Sequence, residues 1–200
     1  MSLPSGTILA GGQARRMGGG DKGLLAIGDR TMLEHVIDRL APQVGELALN
    51  ANGDEARFAK FGLPVLADPV AGYAGPLAGV LAGLDWAAGR GVANIVTVAA
   101  DTPFLPADLV DRLLNAAVDQ GRQMALACTA TGLHPTFGLW PVALRDDLRT
   151  ALSEGVRKVV DWTDRHGVAK AEFPVREFDP FFNVNTPEDL DRAQDYLEFT

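Results

Sequence analysis

The chain has a single cysteine, Cys128, so it can form no internal disulfide, and a reducing cytoplasm is the compartment this composition fits. Histidine is nearly as scarce: His35, His134 and His166 lie far apart and match no metal-ligand spacing, which argues against a zinc enzyme. Positive charge is in deficit, with 18 Lys and Arg against 26 Asp and Glu and a formal charge of −8. A surface that coats a nucleic-acid backbone needs the opposite balance, so no nucleic-acid partner is expected. A small phosphate-bearing ligand needs only a local basic pocket and is not excluded. The apolar runs are too short to span a bilayer, and Met1 to Gly6 lacks the basic and long apolar regions of a signal peptide. A membrane protein is not expected.

What is present is 47% hydrophobic content with 22% charge over 200 residues, enough for one sizeable core and short for two. The reading is therefore one domain, residues 1–200. Thr7 to Ala10 reads as a buried strand feeding a long glycine-rich loop. Thr31-Met32-Leu33-Glu34 is a capping box, and Met32, Leu33, Val36, Ile37 and Leu40 give the helix after it one apolar face. Glu46–Asn50 and Leu63–Ala67 read as strands around a short helix at Glu55–Phe61. Pro76–Ala88 reads as a helix, and Ile95–Ala99 as a central parallel strand covered on both faces and ending at Asp101-Thr102-Pro103. A helix through Leu109 to Val118 follows, then strands at Met124–Thr129 and Pro135–Trp140. Helices near Val142–Ser153 and Val156–Arg165, a strand at Ala169–Phe173 and a final helix capped by Thr186 complete the series. The alternation implies an α/β fold with a mostly parallel central sheet, helices on both faces and ligands at the carboxyl ends of the strands.

The most informative segment is Leu9 to Gly23, where six glycines stand with Arg15, Arg16 and Lys22 directly after a strand. Glycine lets backbone N–H groups approach an anion, and the cations supply counter-charge, so the combination suits a polyphosphate. A Walker loop needs Gly-Lys-Ser/Thr opening a helix; Lys22 between Asp21 and Gly23 fails that test. Gly18, Gly20 and Gly23 satisfy G-x-G-x-x-G, but well beyond the strand end, where a dinucleotide fingerprint would not lie.

Leu9-Ala10-Gly11-Gly12, Arg15-Arg16-Met17-Gly18 and Asp21-Lys22 together resemble the signature loop of sugar-nucleotide-type nucleotidyltransferases, and in this form the molybdenum cofactor guanylyltransferases. The resemblance continues in order through Asn50-Ala51-Asn52, Asp68, Gly75 to Gly79, Asp101-Thr102-Pro103, His134-Pro135-Thr136 and Asn183 to Pro187. It implies a Rossmann-like sheet of the nucleotide-diphospho-sugar transferase type and Mg2+ as cofactor. The implied substrates are GTP and molybdopterin or Mo-molybdopterin, with transient partners among cofactor-synthesis or acceptor enzymes.

The same resemblance assigns residues. Leu9, Ala10, Gly11, Gly12, Lys22, Asn50, Asp68 and Asp101 would bind the nucleotide, with Lys22, Arg16 and Asp101 in the catalytic role. Asp101 would carry the magnesium; the alternative is a strand-end turn residue beside Pro103. Asp68 has a similar alternative in a turn with Pro69. Asn183 and Asn185, two apart on an extended segment, share a side and would face metal and acceptor, or else shape the turn before Thr186. Gly75 and Gly79 either let a helix N-terminus approach the acceptor's phosphate or only allow close helix packing. Arg157 would grip the acceptor or lie on a solvated face; Lys158 stands where the family pattern leads one to expect a second arginine. His134 reads as a strand-end residue, not a base.

The implied reaction is attack of an acceptor phosphate on the α-phosphorus of GTP, with pyrophosphate leaving and no protein nucleophile. A cytidylyltransferase of the same superfamily is the nearest rival. An NAD-dependent oxidoreductase and a non-catalytic nucleotide-binding regulator are the rivals from other classes.

Overall fold

A computed structural model gives the structure of the protein and describes residues 3–11, 20–70 and 75–199. In chain order its strands are β1 (Ser5–Leu9), β2 (Ala26–Ile27), β3 (Arg30–Thr31), β4 (Leu47–Asn50), β5 (Val65–Leu66), β6 (Asn94–Ala99), β7 (Ala125–Thr129), β8 (Gly132–Pro141) and β9 (Ala169–Glu172). The α-helices are α1 (Met32–Leu40), α2 (Pro76–Ala88), α3 (Leu109–Asp119), α4 (Arg145–Ser153), α5 (Val159–His166) and α6 (Pro187–Tyr196). Seven strands form one sheet in the order β5-β4-β1-β6-β8-β7-β9, and β2 and β3 make a small separate ribbon. β8 alone runs against the other six.

That reversal follows from chain length. Only residues 130 and 131 separate β7 from β8, and so short a link can join only antiparallel neighbours. The β7–β8 register jumps from Leu126 against Gly138 to Ala127 against His134. The surplus falls on residues 135–137 of β8, an irregularity that accommodates Pro135 and its missing N–H.

Successive residues of a strand face opposite sides, and β6 shows it. Val96 and Val98 join Leu33, Val36 and Leu40 of α1 and Leu113 of α3 in one buried cluster. Ile95 joins Leu77, Leu81 and Leu84 of α2, Leu148 of α4 and Trp162 of α5 in another. Helices therefore cover both faces, as the alternation of elements predicts. A third cluster, with Ile27, Met32, Phe104 and Val184, lies beneath α6.

Caps set the helix ends. Glu34 N–H donates to Thr31 Oγ1 at 3.3 Å and Thr31 N–H donates to the Glu34 carboxylate at 2.7 Å, the reciprocal pair expected at α1. Thr186 and Asp189 repeat the device at α6. Several expected elements are shorter than their apolar patterns, and two show why. The strand at 63–67 is reduced to Val65–Leu66, with Pro64 just before it able to accept from Leu49 N–H but not to donate. The helix expected from Val156 starts at Val159, because Lys158 is extended at its N-cap.

At the β9 edge three outward backbone groups have side-chain partners. Lys170 N–H donates to Gln120 Oε1 at 3.1 Å, Gln120 Nε2 donates back to the Lys170 carbonyl at 2.9 Å, and Arg112 Nη1 donates to the Glu172 carbonyl at 3.2 Å.

Candidate active site

The site grows from three adjacent strand ends. Leu9, Asn50 and Ala99 stand in register at the carboxyl ends of β1, β4 and β6. Beyond them Ala10 N–H still donates to the Asn50 carbonyl and Ala100 N–H to the Leu9 carbonyl, so the sheet delivers Gly11 and Asp101 to one edge. Gly12 and Arg16, assigned by resemblance to phosphate binding, lie outside the described residues, as does Gly18 of the competing fingerprint.

Gly20 has φ 84°, a region glycine enters freely, and a 3-10 turn spans Lys22–Leu24. Gly23 is buried against β6; a Cβ there would lie 3.1 Å from Ala100 Cβ. This close approach sets Lys22 against Asp101, with Nζ 3.3 Å from Oδ2 and both side chains 16% exposed. Lys22 Nζ also donates to Asn185 Oδ1.

The C-terminal segment closes the group. Val184 N–H donates to the Asp101 carbonyl at 3.0 Å while its side chain is buried beneath α6. Asn185 N–H donates to Asp189 Oδ2, an oxygen of the α6 capping box. Asn185 Nδ2 donates to the Asn183 carbonyl at 3.4 Å. Burial pushes the Asp101 carboxyl above its usual range, and the Lys22 charge and hydrogen bond oppose that rise. Lys22, Asp101, Asn183 and Asn185, read separately in the sequence, thus form one cluster.

A second cluster holds Asn50 and Asp68. The buried Asn50 Nδ2 donates to Asp68 Oδ1 at 2.8 Å and to the Leu66 carbonyl at 3.0 Å. Asn52 Nδ2 donates to the other Asp68 oxygen at 2.7 Å, and Asp68 N–H donates to Asn52 Oδ1 at 2.9 Å. Asp68 is therefore a pinned carboxylate at the end of β5. Asn52, which sequence reading left out of the site, does half of the pinning; its Asn-Ala-Asn spacing was the available signal.

Gly79 takes the packing alternative. It is buried, and a Cβ there would fall 2.6 Å from Leu9 Cδ2 and into the Asn50 amide. α2 can lie on β1 and β4 only without a side chain at that position. Gly75 differs: it is the α2 N-cap with φ 70°, and a Cβ would lie 3.3 Å from the Arg157 carbonyl. Gly75 and Arg157 are thus neighbours, although the Arg157 Nη1 group donates to the carbonyls of Leu152 and Val156. His134 lies at the hairpin end of β8, stacked 4.4 Å from Phe181, with Nε2 3.0 Å from Thr129 Oγ1. Burial keeps its pKa below the ordinary value, against the pull of Asp179. This is a packed hairpin residue.

Among the described residues no three His, Cys, Asp or Glu side chains gather as a metal-binding group. Asp101 stands as a lone, mostly buried strand-end carboxylate facing a cation. That donor set suits a magnesium ion whose other ligands are phosphate oxygens and water, since such ions take one or two carboxylates from the protein. No helix among the described residues is long and apolar enough to cross a membrane.

Sheet order and site together define an open α/β protein with a polar cluster at the carboxyl edge of its sheet. Residues 6–168 match the MobA-like NTP transferase domain. A molybdenum cofactor guanylyltransferase of Bradyrhizobium sp. (strain ORS 278) is 57% identical over 192 residues, covering 94% of this chain and 91% of that protein. One from Mesorhizobium japonicum is 53% identical over 199 residues, covering 97% and 96%. Molybdopterin-guanine dinucleotide biosynthesis protein A of Archaeoglobus fulgidus shares the fold, with TM-score 0.75 at 24% identity over 98% of this chain and 100% of that one. The chain belongs to the MobA-like NTP transferase family.

Proposed function

We propose that this chain transfers GMP from GTP to the terminal phosphate of molybdopterin, with or without bound molybdenum, and releases pyrophosphate. The observation that carries the reading is the meeting of Lys22, Asp101 and Asn185 at the carboxyl edge of the sheet. It occurs in a chain 57% identical to a molybdenum cofactor guanylyltransferase.

An oxygen of the acceptor phosphate attacks the α-phosphorus. A new P–O bond forms as the bond to the β-phosphate bridging oxygen breaks, and the electron pair leaves with pyrophosphate. The acceptor is already anionic at neutral pH, so the step needs no general base. The protein's task is positioning and neutralising charge. Lys22 exchanges its carboxylate and amide partners for phosphate oxygens and follows the charge onto the leaving group. Arg16 adds a second cation from the glycine-rich loop, whose Gly11 and Gly12 N–H groups hold the phosphates. Asn50 and Asp68, fixed on each other, bind the nucleoside end, and Leu9, Ala10 and Gly11 border the base.

Asp101 would hold Mg2+, which when bound neutralises triphosphate oxygens and makes the α-phosphorus more electrophilic. Asn185 keeps Lys22 at hand until phosphate arrives. On the acceptor side Gly75 and Arg157 present a helix N-terminus and a basic residue to the molybdopterin phosphate. We place the reaction in the cytoplasm, where a lone, buried Cys128 is at home.

The test is incubation with magnesium, molybdopterin and each nucleoside triphosphate in turn, with products identified by mass. The expected product is molybdopterin plus one GMP, with equimolar pyrophosphate. Comparable addition of CMP would overturn the guanine assignment, and absence of any adduct with every triphosphate would overturn the transferase reading.

A further inference from the structure

Arg57 belongs to no motif and lies in a 3-10 stretch, Glu55–Phe61, of no regular apolar pattern. Its guanidinium nevertheless makes the densest set of polar contacts near the site among the described residues. Nε donates to Asp21 Oδ2 at 2.5 Å and Nη2 lies 3.4 Å from Asp21 Oδ1, a two-pronged grip across 36 residues of chain. Nη2 also donates to the Asn52 carbonyl at 2.6 Å, and Nη1 donates to the Asp54 carbonyl. The guanidinium rests 4.6 Å from the centre of the Phe58 ring, and the side chains of Arg57 and Asp21 are 27% and 17% exposed. Gly53, at φ 86°, makes the turn that brings the Asn52 and Asp54 carbonyls round it.

These contacts join the two clusters. Asp21 immediately precedes Lys22 and is the N-cap of its turn. Asn52 is the residue that pins Asp68, which in turn holds Asn50. A continuous hydrogen-bonded path therefore runs from the lysine turn through Asp21, Arg57 and Asn52 to Asp68 and Asn50. A side chain stationed between two halves of a binding site fixes their separation, and displacement of a catalytic group by about 1 Å is enough to cost roughly a hundredfold in rate.

We propose that Arg57 is a positioning residue of the transfer site: it ties Asp21, and with it Lys22, to the Asn52–Asp68 corner, so that both ends of one nucleoside triphosphate meet preset groups. The inference rests on the nucleotidyltransferase reading above. Arg57 touches neither substrate; it acts through Asp21 and Asn52.

The experiment uses the full chain with magnesium, GTP and molybdopterin, and compares wild type, Arg57→Ala and Arg57→Lys, each also combined with Lys22→Ala. Steady-state kinetics are read alongside binding of a fluorescent GTP analogue and thermal unfolding. Arg57→Ala is expected to raise KM for GTP about tenfold or more while leaving KM for molybdopterin unchanged. Arg57→Lys should fall between, since lysine keeps the charge but not the fork. With Lys22→Ala in place, the effect of Arg57→Ala on analogue binding should shrink to about twofold, because the group it positions is gone. A folded Arg57→Ala protein with wild-type KM for GTP overturns the inference, and so does an equal loss in both backgrounds. Should Arg57→Ala not fold, Arg57→Lys and Asp21→Asn carry the same comparison. Wild type that binds the analogue while every variant matches it sinks this inference alone; wild type that neither binds nor uses GTP sinks the transferase reading and this inference together.

Discussion

Gly23 and Ala100 pack so closely that a Cβ on the glycine would stand 3.1 Å from that of the alanine. Each is the immediate neighbour of a site residue, Lys22 in one case and Asp101 in the other. The contact between two small residues thus sets the spacing of the ammonium and the carboxylate. Replacing Gly23 by valine should lift the Lys22 turn from β6. The expected cost is about 1–3 kcal/mol of stability, with activity per folded molecule falling as well. Chemical denaturation and turnover on the same sample check both, and full activity in the folded fraction would show that this spacing is not critical.

Removal of the carboxylate should separate folding from chemistry. Asp101 is mostly buried, yet its partner Lys22 keeps Asn185 when the carboxylate is lost. Asp101→Ala is therefore expected to fold, at a cost of about 1–3 kcal/mol for leaving the buried ammonium with the amide alone. Turnover should fall about a thousandfold or more at any magnesium concentration. Pyrophosphate release against magnesium titration is the measurement; near-normal rates would remove Asp101 from the catalytic group.

Acid stability should carry the mark of one capping residue. Hydrogen bonds from the Thr31 N–H and hydroxyl, aided by Lys60, hold the Glu34 carboxyl at about 2 rather than its ordinary 4.5. A carboxyl with a depressed folded-state pKa stabilises the fold above about pH 4.5, and the contribution fades as pH falls toward 2. Glu34→Gln can keep the capping geometry through its amide oxygen but cannot titrate. Wild type should exceed this variant in urea midpoint at pH 6, with the gap closing below pH 4.5. A gap that is constant across that range would contradict the linkage.

Gly11 offers the most direct test of base selection. Among the described residues a Cβ at this position would meet no atom within 4 Å, so alanine is expected to fold and leave the thermal midpoint unchanged. The added methyl would project into the open edge where the base is proposed to sit. Gly11→Ala is expected to lower kcat/KM for GTP by about tenfold or more while affecting CTP less. Direct competition of GTP and CTP in one reaction reads the ratio; an unchanged ratio would place the base elsewhere.

Much of this arrangement is written locally in the chain. The start of α2 was legible because Gly75 and Pro76 open it. Asp101 was legible as a strand-end carboxylate because it follows the apolar run Ile95–Ala99. Thr31-Glu34 and Thr186-Pro187 announce their helices through nearest-neighbour chemistry. Other features depend on partners distant in sequence. The strand pattern of β8 does not state its direction; the two-residue link does. Gly79 could serve a ligand or a packing contact, and only the presence of Leu9 and Asn50 beneath it decides. Arg57 gave no signal, since its value lies in Asp21, 36 residues earlier, and in a turn carbonyl that no side-chain pattern encodes.

The glutamine clamp on β9 has a consequence for how copies of this chain coexist in a crowded solution. Gln120 offers one acceptor and one donor to Lys170, as a neighbouring strand would, and Arg112 occupies the next carbonyl along. At the opposite border β5 is two residues long, too brief a template to zip against another chain. A sheet finished in this way offers neither border as a long run of free backbone groups, so the carboxyl edge can stay wide without the borders inviting fibril growth.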